Sequence, residues 1–141
     1  MASPFFNRPE LAGPYRLLPT RRTTLADELA AATNPLIRIA PDQAASITDW
    51  LGALGQALNF PAHFGANFDA LFDALCDRDL LPQTVLVLEL SALNALAEEE
   101  VDTLIAVFQA AADEWREQGR CLWSLFDAPG LDLDPLPTPK A

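Results

Sequence analysis

The sequence predicts an α/β fold: a small three-stranded parallel sheet packed with helices, with an N-terminal extension before it and a proline-rich tail after it. Three observations predict this. Short apolar, β-rich stretches alternate with amphipathic helical patterns, which implies parallel crossovers. Ten of the twelve prolines lie before residue 42 or after residue 128, so only Pro61 and Pro82 interrupt the alternating part. The chain has 141 residues, half of them hydrophobic, which suits one domain with one core. The expected divisions are an extension over residues 1–35, a folded domain over 36–128 and a tail over 129–141.

The elements follow in order. Residues 1–22 read as an irregular arm with a short strand at 15–18, between Pro14 and Pro19. Thr24 is placed to cap a helix over 25–32, with Asp27 as its capping-box partner. Residues 36–40, LIRIA, read as a strand. Ser46 opens the next helix, whose Ile47, Trp50, Leu51, Leu54 and Leu58 follow the helical period. A loop over 60–66 holds Pro61 and Gly65, and Asn67 caps a helix expected to run to about Asp79. Residues 84–90, TVLVLEL, have the near-continuous apolar character of a strand buried on both faces. A long helix over 98–118 buries Val101, Leu104, Ile105, Phe108, Ala112 and Trp115, and Gly119 follows where a helix-ending glycine belongs. Residues 121–126, CLWSLF, form the last strand, and the tail reads as frayed turns. The three tryptophans, Trp50, Trp115 and Trp123, fall at core positions.

Charge narrows the function classes. Twenty acids against nine Lys plus Arg give a formal net charge of −11. Nucleic acid and anionic membranes are thereby disfavoured as partners, because their phosphates would be repelled. The charge is uneven. Residues 1–41 hold five arginines and three acids, whereas residues 42–141 hold 17 acids and only Arg78, Arg116, Arg120 and Lys140 as bases. No apolar run approaches the roughly 18 residues of a membrane span, and Met1 to Asn7 lack a basic leader region. Cys76 and Cys121 are too few for a disulfide framework. The expected compartment is the cytoplasm, with both thiols reduced, and no cofactor is expected.

The informative stretch is residues 59–79, NFPAHFGANFDALFDALCDRD. Asp69, Asp73 and Asp77 recur every fourth residue and are expected on one stripe of the helix. Like charges at this spacing cost about 0.2–0.5 kcal/mol per pair. Asp77 and Asp79 also lie at the unfavourable end of the helix dipole. Such a stripe is either an ordinary solvated face or a surface completed by a cationic partner. Gly65 is placed to supply a positive φ or a close backbone approach. His63, the single histidine, stands just before it. A metal-dependent hydrolase using Asp69, Asp73 and Asp77 is the enzyme-class alternative, since carboxylates suit hard cations. No glycine-rich phosphate loop accompanies them.

The segment FPAHFGANFDALFDAL resembles the signature of the barstar family of intracellular ribonuclease inhibitors. The matching residues are Pro61, Phe64, Gly65, Asn67, Phe68, Asp69, Ala70, Leu71, Phe72 and Asp73. The order of elements also resembles the family from about Leu36 to Phe126. The resemblance implies a protein without catalysis of its own that plugs the active site of a basic, extracellular-type, barnase-like ribonuclease, or of another basic toxin. It implies that Asp73 takes the place of a substrate phosphate and that Asp69 supports it. His63, Gly65, Asn67, Phe68, Phe72, Cys76 and Asp77 complete the expected partner-binding set. Three positions depart from the family pattern: His63 replaces the first aromatic of the pair, Phe72 a tryptophan, and Ala110 an interface glutamate on the long helix. Residues 1–35 have no counterpart in the short inhibitor.

Overall fold

The computed structural model describes residues 5–31, 36–42, 44, 46–128 and 130–137. The strands are β1 (Pro14–Arg16), β2 (Leu36–Ile39), β3 (Val85–Leu90) and β4 (Cys121–Phe126). They form one parallel sheet in the order β1-β4-β3-β2. The sheet therefore has four strands, not the expected three. The extra strand is the short stretch of the extension, which pairs Pro14 with Ser124 and Arg16 with Phe126 and so covers the free edge of β4.

The helices are α1 (Pro19–Ala31), α2 (Ile47–Ala57), α3 (Phe68–Leu75) and α4 (Glu98–Glu117). α1 begins earlier than expected. Pro19 takes the first helical position, where its missing N–H costs nothing and its φ is already helical. Thr24 is therefore inside the helix and not its cap, and its hydroxyl donates to the Arg21 carbonyl. Ala32, the expected last residue of that helix, lies outside the described residues. α2 is capped as read from the sequence: the Ser46 hydroxyl accepts the Asp49 N–H at 3.2 Å. α4 ends with Gly119 at φ +71°, the left-handed conformation glycine adopts without strain.

Side chains alternate across the sheet. Leu86, Leu88, Leu90, Leu122 and Phe126 face a core shared with α2, α3 and α4. Val87, Cys121, Trp123 and Leu125 face a second core closed by Phe5, Phe6, Leu17, Leu25 and Leu29 of the extension. Trp123 sits at the centre of this second layer. Its indole N–H donates to the Phe6 carbonyl at 2.9 Å, and Phe5 and Tyr15 stack on its ring. The described extension has the short strand and the helix expected of it, and together with Phe5 and Phe6 it is the sheet's second cover. The tail contributes to the same layer. Leu136 is buried, its N–H donates to the Arg16 carbonyl, and Arg21 donates to the carbonyls of Leu136 and Pro137. Residues 130–137 are thus tied to β1 and α1, in place of the expected fraying.

Candidate functional site

α3 is short because its apolar stripe is short. Leu71 and Leu75 are fully buried, and Cys76, half-buried, closes the last turn. The helix therefore ends four residues before the expected Asp79. Asn67 caps its start as expected: its side-chain oxygen accepts the Ala70 N–H at 2.8 Å. Asp69 and Asp73 lie one turn apart and are exposed. Asp77 does not share their helix. Its carboxylate accepts the Asp79 N–H at 2.9 Å, and its carbonyl accepts the N–H groups of Leu80 and Leu81, so it organises the turn that leaves α3. The like-charge helical stripe reduces to the pair Asp69 and Asp73.

The loop before α3 is seated on α2. The Phe60 N–H donates to the Gly55 carbonyl, and the Phe60 and Phe64 rings meet edge to face at 5.1 Å. Gly55 lets the loop sit this close, because a Cβ there would come within 2.8 Å of the Phe64 ring and displace it. The positive φ anticipated at Gly65 falls instead on Ala66, at 48°. At Gly65 a Cβ would lie 3.0 Å from the Asn67 side-chain nitrogen.

Two grooves flank α3, and Asp73 borders both. His63, Gly65, Asp73 and Asp77 line the groove on the loop side. Phe68, Asp69, Phe72 and Asp73 form one wall of the groove on the α4 side. The structure thus brings together seven of the nine residues in the expected set. Asn67 acts behind them as the cap. Cys76 packs against the main core, where burial first, then the charges of Glu114 and Asp73, push its thiol pKa up. Thr103, Ala106 and Val107 on α4 complete the second groove and escaped the sequence reading. The available signal was an apolar pair, Val107 and Ala110, outside the helix's inner stripe.

Trp115 of α4 and Arg120, in the turn between α4 and β4, hold the chain that leaves α3. The buried Arg120 guanidinium stacks on the Trp115 ring at 3.8 Å from its centroid. It donates to the carbonyls of Leu81 and Gln83 and to the Gln118 side chain. Burial, then the like charge of Arg78, push its pKa down from the ordinary arginine value. These bonds hold the segment between Asp77 and β3.

The fold and site define an α/β protein that presents a capped, acidic helix beside a rigidly seated loop. A family model described as Barstar (barnase inhibitor) matches residues 34–127. The chain belongs to the barstar family. No individual curated protein matches it significantly. Among the described residues, no group of three or more His, Cys, Asp or Glu side chains is arranged to hold a metal ion, and no helix is long and apolar enough to cross a membrane.

Proposed function

We propose that this protein is a cytoplasmic inhibitor that binds a basic, barnase-like ribonuclease and blocks its active site with α3 and the loop before it. The observation that carries the reading is the placement of Asp73. It stands exposed between two grooves, on a helix whose start is capped by Asn67 and whose family is that of barnase inhibitors. A carboxylate offers two oxygens to the fork of an arginine, as a phosphate does. In the bound state Asp73 takes the phosphate's place among the enzyme's cations, and Asp69, one turn earlier, adds charge against the basic rim. The same acids draw a basic cleft toward this face, so association falls steeply as salt shortens the Debye length. The protein supplies no catalysis in this reading. It occupies the place of RNA without binding RNA.

The test is inhibition of a barnase-like ribonuclease by the protein and by its Asp73→Ala variant. Asp73 is exposed, so the variant is expected to fold with unchanged stability. Binding is expected to weaken by about 2–5 kcal/mol, the general cost of truncating one partner of a buried charge pair. Undiminished inhibition by a folded Asp73→Ala protein would reject the reading. Inhibition of a different basic toxin, with the ribonuclease unaffected, would move the partner and keep the surface.

A further inference from the structure

Beyond β1 the sheet gains one more short pairing, from the far end of the chain. The Arg16 N–H donates to the Asp134 carbonyl at 2.8 Å, and the Leu136 N–H donates to the Arg16 carbonyl at 3.0 Å, a parallel bridge between Arg16 and Pro135. Backbone groups of an extended chain turn alternately to its two sides. The Gly13 carbonyl and the Leu17 N–H turn toward β4, so Pro14 and Arg16 are the outward positions of β1. Pro14 has no N–H, and within β1 Arg16 alone offers an outward donor. The tail takes that donor. Its inward groups belong to Asp134 and Leu136, which leaves 135 and 137 as its outward positions, and both are proline. The Pro137 carbonyl is taken by Arg21, whose guanidinium also pairs with Glu28 on α1. Asp134 and Pro135 are exposed, so charge and proline stand where a further strand would have to pair.

We propose that residues 134–136 are a built-in terminator of the sheet, which keeps a second copy of the chain from adding at this edge. The segment takes the last outward donor of β1 and presents none of its own. A second copy is the strand it excludes, because two copies carry the same edge and can pair it reciprocally about a two-fold axis. Leu136, buried in the second core, anchors the segment, and Arg21 latches it to α1 through the carbonyls of Leu136 and Pro137. This role owes nothing to the acidic helix and stands or falls apart from the inhibitory reading.

The experiment restores the missing donors in the full-length chain. Pro135→Val with Pro137→Val gives both outward positions an N–H and a β-favouring side chain, and Pro135→Ala with Pro137→Ala gives the same donors with less bulk. Sedimentation equilibrium reads self-association, and amide hydrogen exchange at Leu88, inside the sheet, reports that the fold is intact. The wild type is expected to stay monomeric up to millimolar concentration. The valine pair is expected to dimerise at least about tenfold more tightly than the wild type, with Leu88 still protected. Should the valine pair unfold, the alanine pair decides by the same measurement. A folded variant that stays monomeric would overturn the proposal, and so would a wild type that dimerises equally well. The latch is read in Arg21→Gln, where the Arg16 amide is expected to exchange about tenfold faster or more while Leu88 is unchanged. An unaltered Arg16 amide, or equal acceleration at Arg16 and Leu88, would remove Arg21 from that role.

Discussion

The indole N–H of Trp115 donates to the carbonyl of Leu75 at 2.8 Å, and this bond ties the last turn of α3 to the end of α4. Both residues are fully buried. A carbonyl at a helix end has no partner within the helix, so here the tertiary structure supplies one. The position of the acidic helix is thereby set from beneath, by a residue far from its exposed face.

Trp115→Phe keeps a ring at this position but leaves the Leu75 carbonyl buried without its donor. The expected loss of stability is about 1–3 kcal/mol, the desolvation cost of an unpaired buried polar group. Urea unfolding measures it. An unchanged midpoint would mean that water or a shifted α3 satisfies the carbonyl.

Arg120→Lys keeps the positive charge and removes the planar fork. A lysine cannot reproduce bonds to the carbonyls of Leu81 and Gln83 together with stacking on Trp115. The expected cost is about 1.5–3 kcal/mol, typical of losing hydrogen bonds to a charged group. Because both residues act on the same segment, the double variant with Trp115→Phe should depart from additivity by at least about 0.5 kcal/mol.

Gly55→Ala separates loop placement from stability. Within α2, alanine improves helix propensity by about 0.5–1 kcal/mol. Its Cβ, however, would sit 2.8 Å from the Phe64 ring, so the ring and the loop carrying His63 and Gly65 must move. The expected outcome is a small change in melting temperature and a loss of inhibition of about tenfold or more, equivalent to roughly 1.4 kcal/mol of binding. Full inhibition by Gly55→Ala would show that the loop's seat on α2 is not needed for binding.

Most of this arrangement was legible in the sequence, and the parts that were not share a cause. Caps are local: Ser46 and Asn67 announce α2 and α3 through hydrogen bonds three residues away. The end of α3 is not local. Acidic residues continue the four-residue spacing to Asp77, but buried apolar residues stop at Leu75, and packing decides where the helix ends. The role of the extension was hidden for a similar reason. Residues 85–90 and 121–126 are buried on both faces, which demands a cover on each side of the sheet. The second cover, Phe5, Phe6, Leu25 and Leu29, is scattered among prolines and shows little helical periodicity, so its burial shows only in three dimensions. Of the site, the acidic pair and its loop were visible as a motif, while the α4 wall depends on how two helices pack.

Asp77 distinguishes a charge from a fold device. Asp77→Asn retains an oxygen that can accept the Asp79 N–H, and Asp77→Ala does not. The asparagine variant should keep its stability and associate more slowly with a basic ribonuclease at low salt, the difference closing as salt rises. The alanine variant should in addition lose about 0.5–1.5 kcal/mol of stability. Stopped-flow association and urea unfolding on both variants read the two effects apart. Equal association rates for wild type and Asp77→Asn at low salt would remove Asp77 from the steering surface.

Stability should also fall on the alkaline side through the buried thiol of Cys121. Burial first, then the charge of Glu10, push its pKa from the usual 9.0 up to about 11. Below the unfolded value the thiol is protonated in both states, and the preference for the neutral form is fully present. As pH rises from about 9 toward 11, the unfolded chain releases this proton while the folded chain retains it. The unfolded state then binds fewer protons, so unfolding becomes easier with rising pH. The raised thiol of Cys76 and the raised phenol of Tyr15 act in the same direction. Urea midpoints measured from pH 8 to 11 should therefore decline, and Cys121→Ala should decline less steeply than wild type. The same desolvation keeps the Cys121 thiolate scarce, so iodoacetamide at pH 8 should leave Cys121 unmodified until the protein unfolds. An identical pH slope in Cys121→Ala would show that this thiol does not couple to folding.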